Sequence, residues 1–371
     1  MKIALLIVLG LFLAGCAVFS DSIGYYWQSA SGHLSVMRQA KPLDQWIDDP
    51  DIKPALKLKL ATVRDIRAYA SRELGLPDNG SYKSYADLKR TSVVYNVLAT
   101  PELSMQMRQW CFPVVGCVTY RGYYDKAAAD TFAQGLRLQG DDVHVSGVPA
   151  YSTLGYFDDP LLNTFINYPD AELARLVFHE LSHQVVYIKS DTTFNESFAT
   201  AVETLGVEQW LAAQNNTKLT KEYQDFAVRR ADFLALLKRY RLRLEQTYIA
   251  AGATEVSILR QQKAQVFADL KAEYETIKVQ QWNGYAGYDR WFAQPLTNAH
   301  LAAVATYTDL VPGFIQLARD TTTEVSARSV PDSKSGALQG AINFPQFYAA
   351  VKALSQLDKA QRDTKLIKTK Q

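Results

Sequence analysis

The sequence predicts an α+β fold that is predominantly helical, with a small β-sheet before the central helix and a long helical hairpin after it. Segments rich in Val, Tyr and Thr within residues 91–154 are typical of short strands. Residues 168–188 and 191–214 have the apolar spacing of buried helices, and the first of these helices contains His-Glu-x-x-His. Residues 217–280 are charged and heptad-like, and the small residues 250–254 predict a turn within them.

Composition and charge exclude one class of partner. Of the 371 residues, 48% are hydrophobic and 12% are aromatic, as in an ordinary globular protein. Forty Lys and Arg residues against 38 Asp and Glu residues leave a formal net charge of +2, and no compact basic patch is present. Because nucleic-acid binding depends on clustered positive charge, we expect no nucleic-acid partner. The sequence makes no prediction of the oligomeric state.

The N-terminus has the features of an export signal. Lys2 precedes an apolar run over residues 3–13, which is too short to span a bilayer comfortably. Leu-Ala-Gly-Cys, ending at Cys16, resembles the bacterial lipobox, in which the chain is cleaved before the cysteine and the cysteine is lipidated. Residues 1–15 are then a signal peptide, and Ala17 in place of Asp indicates an outer-membrane lipoprotein that faces the periplasm. An ordinary secretory signal and a buried N-terminal helix are the alternatives.

Two further cysteines, Cys111 and Cys117, lie in the sequence WCFPVVGCVTY. In an exported protein, two remaining thiols most simply form a disulfide. Pro113 and Gly116 can make the turn that so short a loop needs. Two buried free thiols are the alternative.

The other elements follow from local patterns. Residues 22–90 are expected to be mainly helical, and residues 51–74 are their clearest amphipathic segment. A helix over residues 125–140 should end at Gly140. The basic tail, residues 351–371, is expected to be solvated and frayed. The predicted strands are residues 91–100, 105–115, 117–124 and 142–154.

The stretch LVFHELSHQ predicts a metal site. Because residues i and i+4 of a helix share a face, His179 and His183 can present two imidazoles to one ion. Glu180 lies about 100° round the helix, near enough to hold a water bound to that ion. Zinc lowers the pKa of such a water toward about 7, and the carboxylate takes the proton and hands it to the leaving amine. The apolar flanks indicate a buried helix, whose polar groups need partners. Two hydrogen-bonded core histidines are the alternative interpretation.

A catalytic zinc site needs a third protein ligand and an open position. The sequence HQVVYIKSDTT that begins at His183 contains no further histidine. Glu196 follows after twelve intervening residues, just enough to end one helix, turn and start an antiparallel one. Glu196 is therefore the candidate ligand. Glu203, two turns later on the same face, and Asn195 are alternative ligands or partners of a ligand histidine. The other interpretation of Glu196 is a carboxylate placed by the helix dipole alone.

His-Glu-x-x-His followed by Asn-Glu-x-x-Ala resembles the gluzincins, zinc peptidases whose ligands are two histidines and a glutamate. A closer resemblance, from about residue 22 to about residue 350, is to the bacterial family known as "putative aminopeptidases", many of which are predicted lipoproteins. The stretches that carry it are GCVTYRGYYDKAAAD, VPAYSTLGYFDDPLL, FHELSHQVVYIKSDTTFNESFATAVE and NAHLAAVATYTDLVPGF.

The resemblance implies one zincin-like catalytic unit over residues 16–371. Its parts would be a helical part (22–90), the sheet with the zinc-site helices (91–214), a second helical part (215–350) and the basic tail (351–371). One zinc ion would be held by His179, His183 and Glu196, with Glu180 as the base.

The resemblance also implies roles outside the metal-site helices. Gluzincins tend to stabilise the oxyanion with a Tyr or His from a later helix, and the candidates here are Tyr307, His300 and Tyr151. The Gly-x-Met-Glu-Asn stretch that anchors a free N-terminus in well-known zinc aminopeptidases is absent. In its place, residues 147–160 can form an edge strand that pairs with an extended peptide. The candidate groove residues are Tyr151, Ser152, Thr153 and Asp158, and Asp158 or Asp159 is available to hold an α-amine.

We therefore expect a zinc-dependent peptidase of the aminopeptidase type, attached to the outer membrane through Cys16 and acting on peptides. The alternative is a non-catalytic, zinc-containing envelope lipoprotein that binds peptides or acts as an assembly factor. The intact Glu180 favours the enzyme, because a purely structural zinc site needs no base. A metallohydrolase with a non-peptide substrate, such as a cell-wall amide, is the third interpretation.

Overall fold

The fold is given by a computed structural model, which describes residues 24–113, 116–252, 254–305, 310–328 and 341–368. The helices, in chain order, are α1 (24–39), α2 (Leu43–Asp48), α3 (Pro54–Arg72), α4 (Lys126–Leu138), α5 (Asp170–Ser182), α6 (Thr192–Gln214), α7 (Thr217–Ile249), α8 (Val256–Gln280), α9 (Asp289–Phe292), α10 (Asn298–Ala305), α11 (Val311–Arg328), α12 (Phe344–Ser355) and α13 (Lys359–Lys368). The strands are β1 (Lys41–Pro42), β2 (Ser84–Ala86), β3 (Val94–Pro101), β4 (Trp110–Phe112), β5 (Gly116–Val118), β6 (Arg121–Tyr123), β7 (Asp141–Val148) and β8 (Leu161–Leu162). Helices predominate and the strands are short, which confirms the predicted α+β, mainly helical class.

The central sheet contains three antiparallel strands in the order β6, β3, β7, so β7 lies at an edge. β3 and β7 pair along their whole length, from Val94 opposite Val148 to Pro101 opposite Asp141. Because side chains alternate between the two faces of a strand, one face packs against α4 while the other is turned toward α7. The apolar cluster on the α4 side includes Val97, Ala99, Val143, Ala129 and Ala133.

The helices at the centre of the principal core are α5 and α6, and α3, α11 and α12 pack around this pair. On α5, Leu173, Val177, Phe178 and Leu181 recur at helical spacing and are fully buried. Burial of each such side chain stabilises the fold by about 2 kcal/mol. The helix that carries His-Glu-x-x-His is therefore held firmly on its apolar face, while its polar face is free to build a site.

The long hairpin is confirmed, since α7 and α8 pack against each other and the chain turns between Ile249 and Val256. A second core, which includes Leu237, Leu244 and Leu270, lies between these helices and the segments that follow them. This arrangement places one face of α7 opposite the central sheet.

Two other helix predictions are also confirmed. The amphipathic segment 51–74 forms α3, and residues 125–140 form α4. Asp125 caps α4 by accepting the N–H of Ala128 at 2.8 Å, and Gly140, with a φ of +87°, follows its end.

A small hairpin, β4–β5, places Cys111 opposite Cys117, and a disulfide joins the two residues. The hairpin contacts the loop between α5 and α6. The N–H of Cys117 donates to Oγ of Ser190 at 3.1 Å, and Nζ of Lys189 donates to the carbonyl of Pro113 at 2.7 Å. The β4–β5 hairpin with its disulfide, called the clip below, is therefore in direct contact with the loop that joins α5 and α6.

The strands are shorter than predicted in two places. Of the described part of the first segment, residues 105–113, only Trp110–Phe112 is a strand, and β7 ends at Val148 instead of continuing to residue 154. Pro149 has no N–H to donate, and Leu154 and Gly155 have φ values of +56° and +82°, which turn the chain. The edge strand predicted over residues 147–160 is therefore wrong beyond Val148, and β7 itself provides the edge.

The prediction of a frayed tail is wrong for the last described residues. Lys359–Lys368 forms α13, which packs on α11. Leu366 is buried, and Nη2 of the buried Arg362 lies 2.7 Å from Oδ2 of Asp191. The basic composition of this segment favours a solvated tail and gives no indication of these two contacts.

No helix in the described ranges combines the length and the apolar character needed to cross a membrane. The predicted signal peptide and Cys16 lie outside the described residues.

Candidate metal centre

Three side chains from two helices meet at one point. His179 comes from the last turn of α5, His183 is the residue that follows its end, and Glu196 comes from the start of α6. One donor atom from each lies within 4.8 Å of the others. Nε2 of His179 is 3.3 Å from Oε2 of Glu196, and Nε2 of His183 is 3.9 Å from Oε1 of Glu196. Two imidazole nitrogens and a carboxylate are a donor set that suits zinc. The described residues contain no other such group of three His, Cys, Asp or Glu donors.

The loop between the two helices is held by side chains from the start of α6. Asp191 caps α6 by accepting the N–H of Phe194 at 3.3 Å. The buried Asn195 accepts the N–H of Ile188 and donates to its carbonyl, both at 2.8 Å. Asn195 was a candidate ligand or partner of a ligand in the sequence analysis. The structure uses both ends of its amide to position the loop, and hence the neighbouring Glu196.

Glu203 is buried one layer behind the metal-site histidine. Its Oε2 accepts from Nδ1 of His179 at 2.9 Å and from Nη1 of Arg175 at 2.8 Å, and its Oε1 accepts from Nη1 of Arg230 at 3.0 Å. Arg175 also donates to Glu172 at 2.8 Å. Of the two roles predicted for Glu203, the contacts match the partner of a ligand. Such a carboxylate fixes the tautomer of the imidazole and turns its Nε2 toward the ion.

The acidic groups around the histidines create a site that favours positive charge. Burial works against protonation of His179, but the hydrogen bonds that its ring donates to Glu196 and Glu203 outweigh burial and raise the pKa of His179 to about 10. Burial also opposes ionisation of Glu196, yet the neighbouring His183 and His179 hold the pKa of Glu196 below its usual value. The pKa of His183 is lowered by burial to about 4. A bound cation would replace the proton that His179 otherwise carries between two carboxylates.

Glu180 lies in the same environment. Burial is the main cause that raises its pKa to about 7, with His179 opposing the shift and Glu196 adding to it. A carboxylate that exchanges a proton near neutral pH suits a general base.

The metal-site residues open onto a cavity of about 600 Å³. His179, Glu180, His183 and Glu196 line one side of it. The tyrosines of its walls are Tyr25, Tyr26, Tyr120, Tyr124, Tyr151 and Tyr187. The site is therefore accessible to a ligand larger than water.

Only part of the predicted groove lines this cavity. Tyr151 and Ser152 line it, whereas Thr153 and Asp158 are not among its lining residues. Thr153 donates its N–H and its hydroxyl to Oδ2 of Asp159 at 2.8 and 3.0 Å. Asp159 is buried, which raises its pKa to about 6, and its Oδ1 has no hydrogen-bond partner among the described residues. The two aspartates thus belong to the turn of this loop rather than to the cavity wall.

One known family of proteins matches most of this chain. The family described as "Putative aminopeptidase" matches residues 24–366. The chain belongs to this family. The match covers nearly the whole chain and confirms the resemblance drawn from the sequence. No curated protein and no solved structure matches the chain.

In this family member, the three predicted oxyanion-stabilising residues differ in position and in hydrogen-bond partners. Tyr307 lies outside the described residues. The ring of His300 packs against that of His144 with centroids 3.8 Å apart, and it lines a different cavity. The hydroxyl of Tyr151 already has a partner in Nδ1 of His33 at 2.7 Å.

Tyr120 was missed by the sequence analysis. It lies between β5 and β6 and lines the metal-site cavity, and its hydroxyl makes no hydrogen bond within the described part of the chain. Burial, followed by the nearby charge of Glu196, raises the pKa of Tyr120 well above its usual value, so the phenol stays a neutral donor. The sequence offered no indication of this residue, because it lies in the connection between strands of two different sheets, about 60 positions before the motif.

Proposed function

We propose that the protein is a zinc-dependent peptidase of the aminopeptidase type, with one zinc ion held by His179, His183 and Glu196. The observation that carries the proposal is the presence of Glu180 beside this donor set in a ligand-sized cavity. A structural zinc site is usually closed by four protein ligands and needs no base. The described residues supply three donors and a base, which favours the enzyme over the non-catalytic lipoprotein.

Each residue then has a task in peptide hydrolysis. Bound zinc supplies Lewis acidity and makes a water easier to deprotonate. Glu180 would take a proton from a water whose oxygen attacks the carbonyl carbon, and would transfer it to the amine that leaves as the C–N bond breaks. Tyr120 donates its hydroxyl to the negative charge that develops on the carbonyl oxygen of the substrate. Glu203 keeps His179 oriented. Cleavage at the N-terminal end of peptides is supported by the family description.

The substitution Glu180→Gln tests the proposal. The variant should bind zinc in the same amount as the wild type and lose about 10²- to 10⁴-fold in kcat, because the general base is gone. The measurement combines zinc quantification with digestion of a peptide library. Glu222→Gln, on the exposed surface of α7, is the matched control and should match the wild type in both measurements.

Three outcomes would contradict the proposal. A purified protein without stoichiometric zinc would remove the metal site. Retained turnover in Glu180→Gln would remove Glu180 as the base. Zinc without turnover of any peptide in the wild type would favour the non-catalytic lipoprotein.

We also propose that the mature protein is a periplasm-facing outer-membrane lipoprotein attached through Cys16. The lipobox-like sequence supports this, and so does the disulfide, because disulfides persist in oxidising compartments. Cys16→Ser should abolish incorporation of labelled fatty acid and release the protein from membranes. Equal labelling of both forms would contradict the proposal.

A further inference from the structure

A second cavity, of about 710 Å³, adjoins the metal site. It shares four lining residues with the first cavity, namely Asn96, Tyr120, Val148 and the ligand His179. The two cavities therefore meet at the metal centre, and a peptide bond at that centre has space on two sides. The volume is within the range of about 300–1,000 Å³ that is typical of ligand sites.

The second cavity lies between the central sheet and α7. Its sheet wall is the face opposite α4, where alternate residues of β3 and β7 such as Leu98, His144 and Ser146 point inward. Its helical wall is one face of α7, whose lining residues recur every three or four positions. These lining residues of α7 are Tyr223, Phe226, Ala227, Arg230, Ala231, Phe233, Leu234 and Leu237.

The two arginines of this lining are already neutralised. Arg175 pairs with Glu172 and Glu203, and Arg230 pairs with Glu203, all at distances from 2.8 to 3.0 Å. Neither guanidinium therefore presents an uncompensated charge to a ligand, and a carboxylate of a substrate would have to compete with buried protein carboxylates.

The two lining histidines other than the metal-site residue His179 are neutral as well. Burial lowers the pKa of His144 to about 4 and that of His300 to about 3. Trp291 packs edge-on against His300, with ring centroids 5.8 Å apart. Glu208 is the remaining charged residue of the lining, and it is exposed. The interior of the cavity is thus apolar, aromatic and close to uncharged.

We propose that this second cavity receives a large apolar or aromatic side chain from a substrate residue next to the cleaved bond. The inference rests on the proposed peptidase function and names the substrate class for that same site. An apolar side chain gains free energy on leaving water for such a cavity, whereas a charged one would lose its hydration without a partner.

The test uses peptides that differ only at the two residues flanking the bond that the library digest identifies. At one of these positions, the wild type should cleave the Phe or Leu peptide about 10- to 200-fold better than the Ala peptide in kcat/KM. Ala227→Phe places a bulky ring on the cavity-lining face of α7. This variant should lower the Phe-to-Ala ratio at least about tenfold while its zinc content is kept.

The matched control is Ala235→Phe, which introduces the same ring at an exposed position of α7 that is not part of the lining. It should keep the wild-type ratio. Ala231→Phe, at an exposed position that does line the cavity, provides a second test variant if Ala227→Phe does not fold. Calorimetric binding of the Phe peptide in a Glu180→Gln background gives a readout independent of turnover, and Ala227→Phe should weaken this binding.

The outcomes separate this inference from the function on which it rests. An active wild type that prefers small residues, or whose preference survives both cavity-narrowing variants, would overturn the inference and leave the peptidase function standing. A zinc-loaded wild type that cleaves no peptide would overturn both.

Discussion

At the scale of single residues, the orientation of His179 depends on a carboxylate that does not itself belong to the donor set. Glu203 accepts from His179 while two arginines hold it from behind. We predict that Glu203→Gln weakens zinc affinity about 10- to 100-fold, because an amide is a poorer acceptor and leaves the arginines without a counter-charge. Chelator competition measures the affinity.

Glu208→Gln is the control for this prediction. Glu208 lies five residues later on α6 and is exposed, so its replacement should leave zinc affinity unchanged. Equal affinities for the wild type and Glu203→Gln would show that Glu203 is not needed to orient the ligand.

Tyr120 should act on the transition state alone. Its free hydroxyl in the metal-site cavity can donate to a developing oxyanion. We predict that Tyr120→Phe lowers kcat about 10²-fold, with little change in KM or zinc content. Steady-state kinetics on one peptide separate these quantities.

Tyr151→Phe is the matched control for Tyr120, because the hydroxyl of Tyr151 is occupied by His33. It should lower kcat much less than Tyr120→Phe. An equal loss of kcat in the two variants would contradict the prediction. It would mean that both hydroxyls act through packing or that the hydroxyl of Tyr151 also stabilises the oxyanion.

How far the sequence predicts residues depends on where they lie. The grouping of His179, His183 and Glu196 could be predicted, because a helical period and the length of one loop determine it. Tyr120 lines the same cavity from the connection between β5 and β6, and Arg230 contacts Glu203 from the long helical hairpin. No local sequence pattern predicts that these two residues lie near the metal centre, because their positions depend on tertiary packing.

At the scale of elements, the start of α6 is the feature that presents Glu196. Asp191 caps this helix and also pairs with Arg362 of α13. We predict that Asp191→Ala destabilises the protein by about 3–5 kcal/mol, because it removes the cap and leaves a buried guanidinium without its counter-charge. Urea unfolding measures the loss.

Asp191→Asn separates the two causes. Asn caps a helix about as well as Asp but carries no charge. It should therefore destabilise the protein less than Asp191→Ala. If neither substitution lowers stability, α13 does not brace the metal-site helices.

Elements with strong local patterns agree with the sequence prediction. The change of direction between α7 and α8 and the cap and glycine that bound α4 are examples. The prediction failed over residues 149–160, where Pro149 and two positive φ angles end the strand that composition favoured. It failed again at Lys359–Lys368, where burial of Leu366 outweighed the basic character of the segment.

At the scale of the whole molecule, the class of fold followed from the order of its patterns, namely strands, a buried helix pair and then a long hairpin. Its cavities did not follow from that order. They arise where one face of the central sheet stands opposite α7, and only the packed structure sets that separation.

The disulfide should influence the metal site, although neither cysteine is a ligand. The β4–β5 hairpin contacts the α5–α6 loop through Cys117 and Ser190, and Gly116 leaves room for Ser190 where a Cβ would clash. We predict that Cys111→Ser with Cys117→Ser destabilises the protein by about 2 kcal/mol and lowers zinc affinity. Chelator competition under non-reducing conditions measures the affinity.

Ser190→Ala is the control for the disulfide prediction, because it removes one hydrogen bond and keeps the clip. It should have the smaller effect on affinity. Unchanged affinity in the double serine variant would show that the clip and the metal site are independent.

If the protein is exported and binds zinc as proposed, the contact between the clip and the loop implies an order of maturation. A newly made chain still in a reducing compartment lacks the clip, and the loop that sets the spacing of its metal-site helices is then less constrained. Zinc would be captured tightly only after export and oxidation. The metal supply that matters for this protein would then be the periplasmic one, and peptides inside the cell would be protected from an enzyme that is not yet complete.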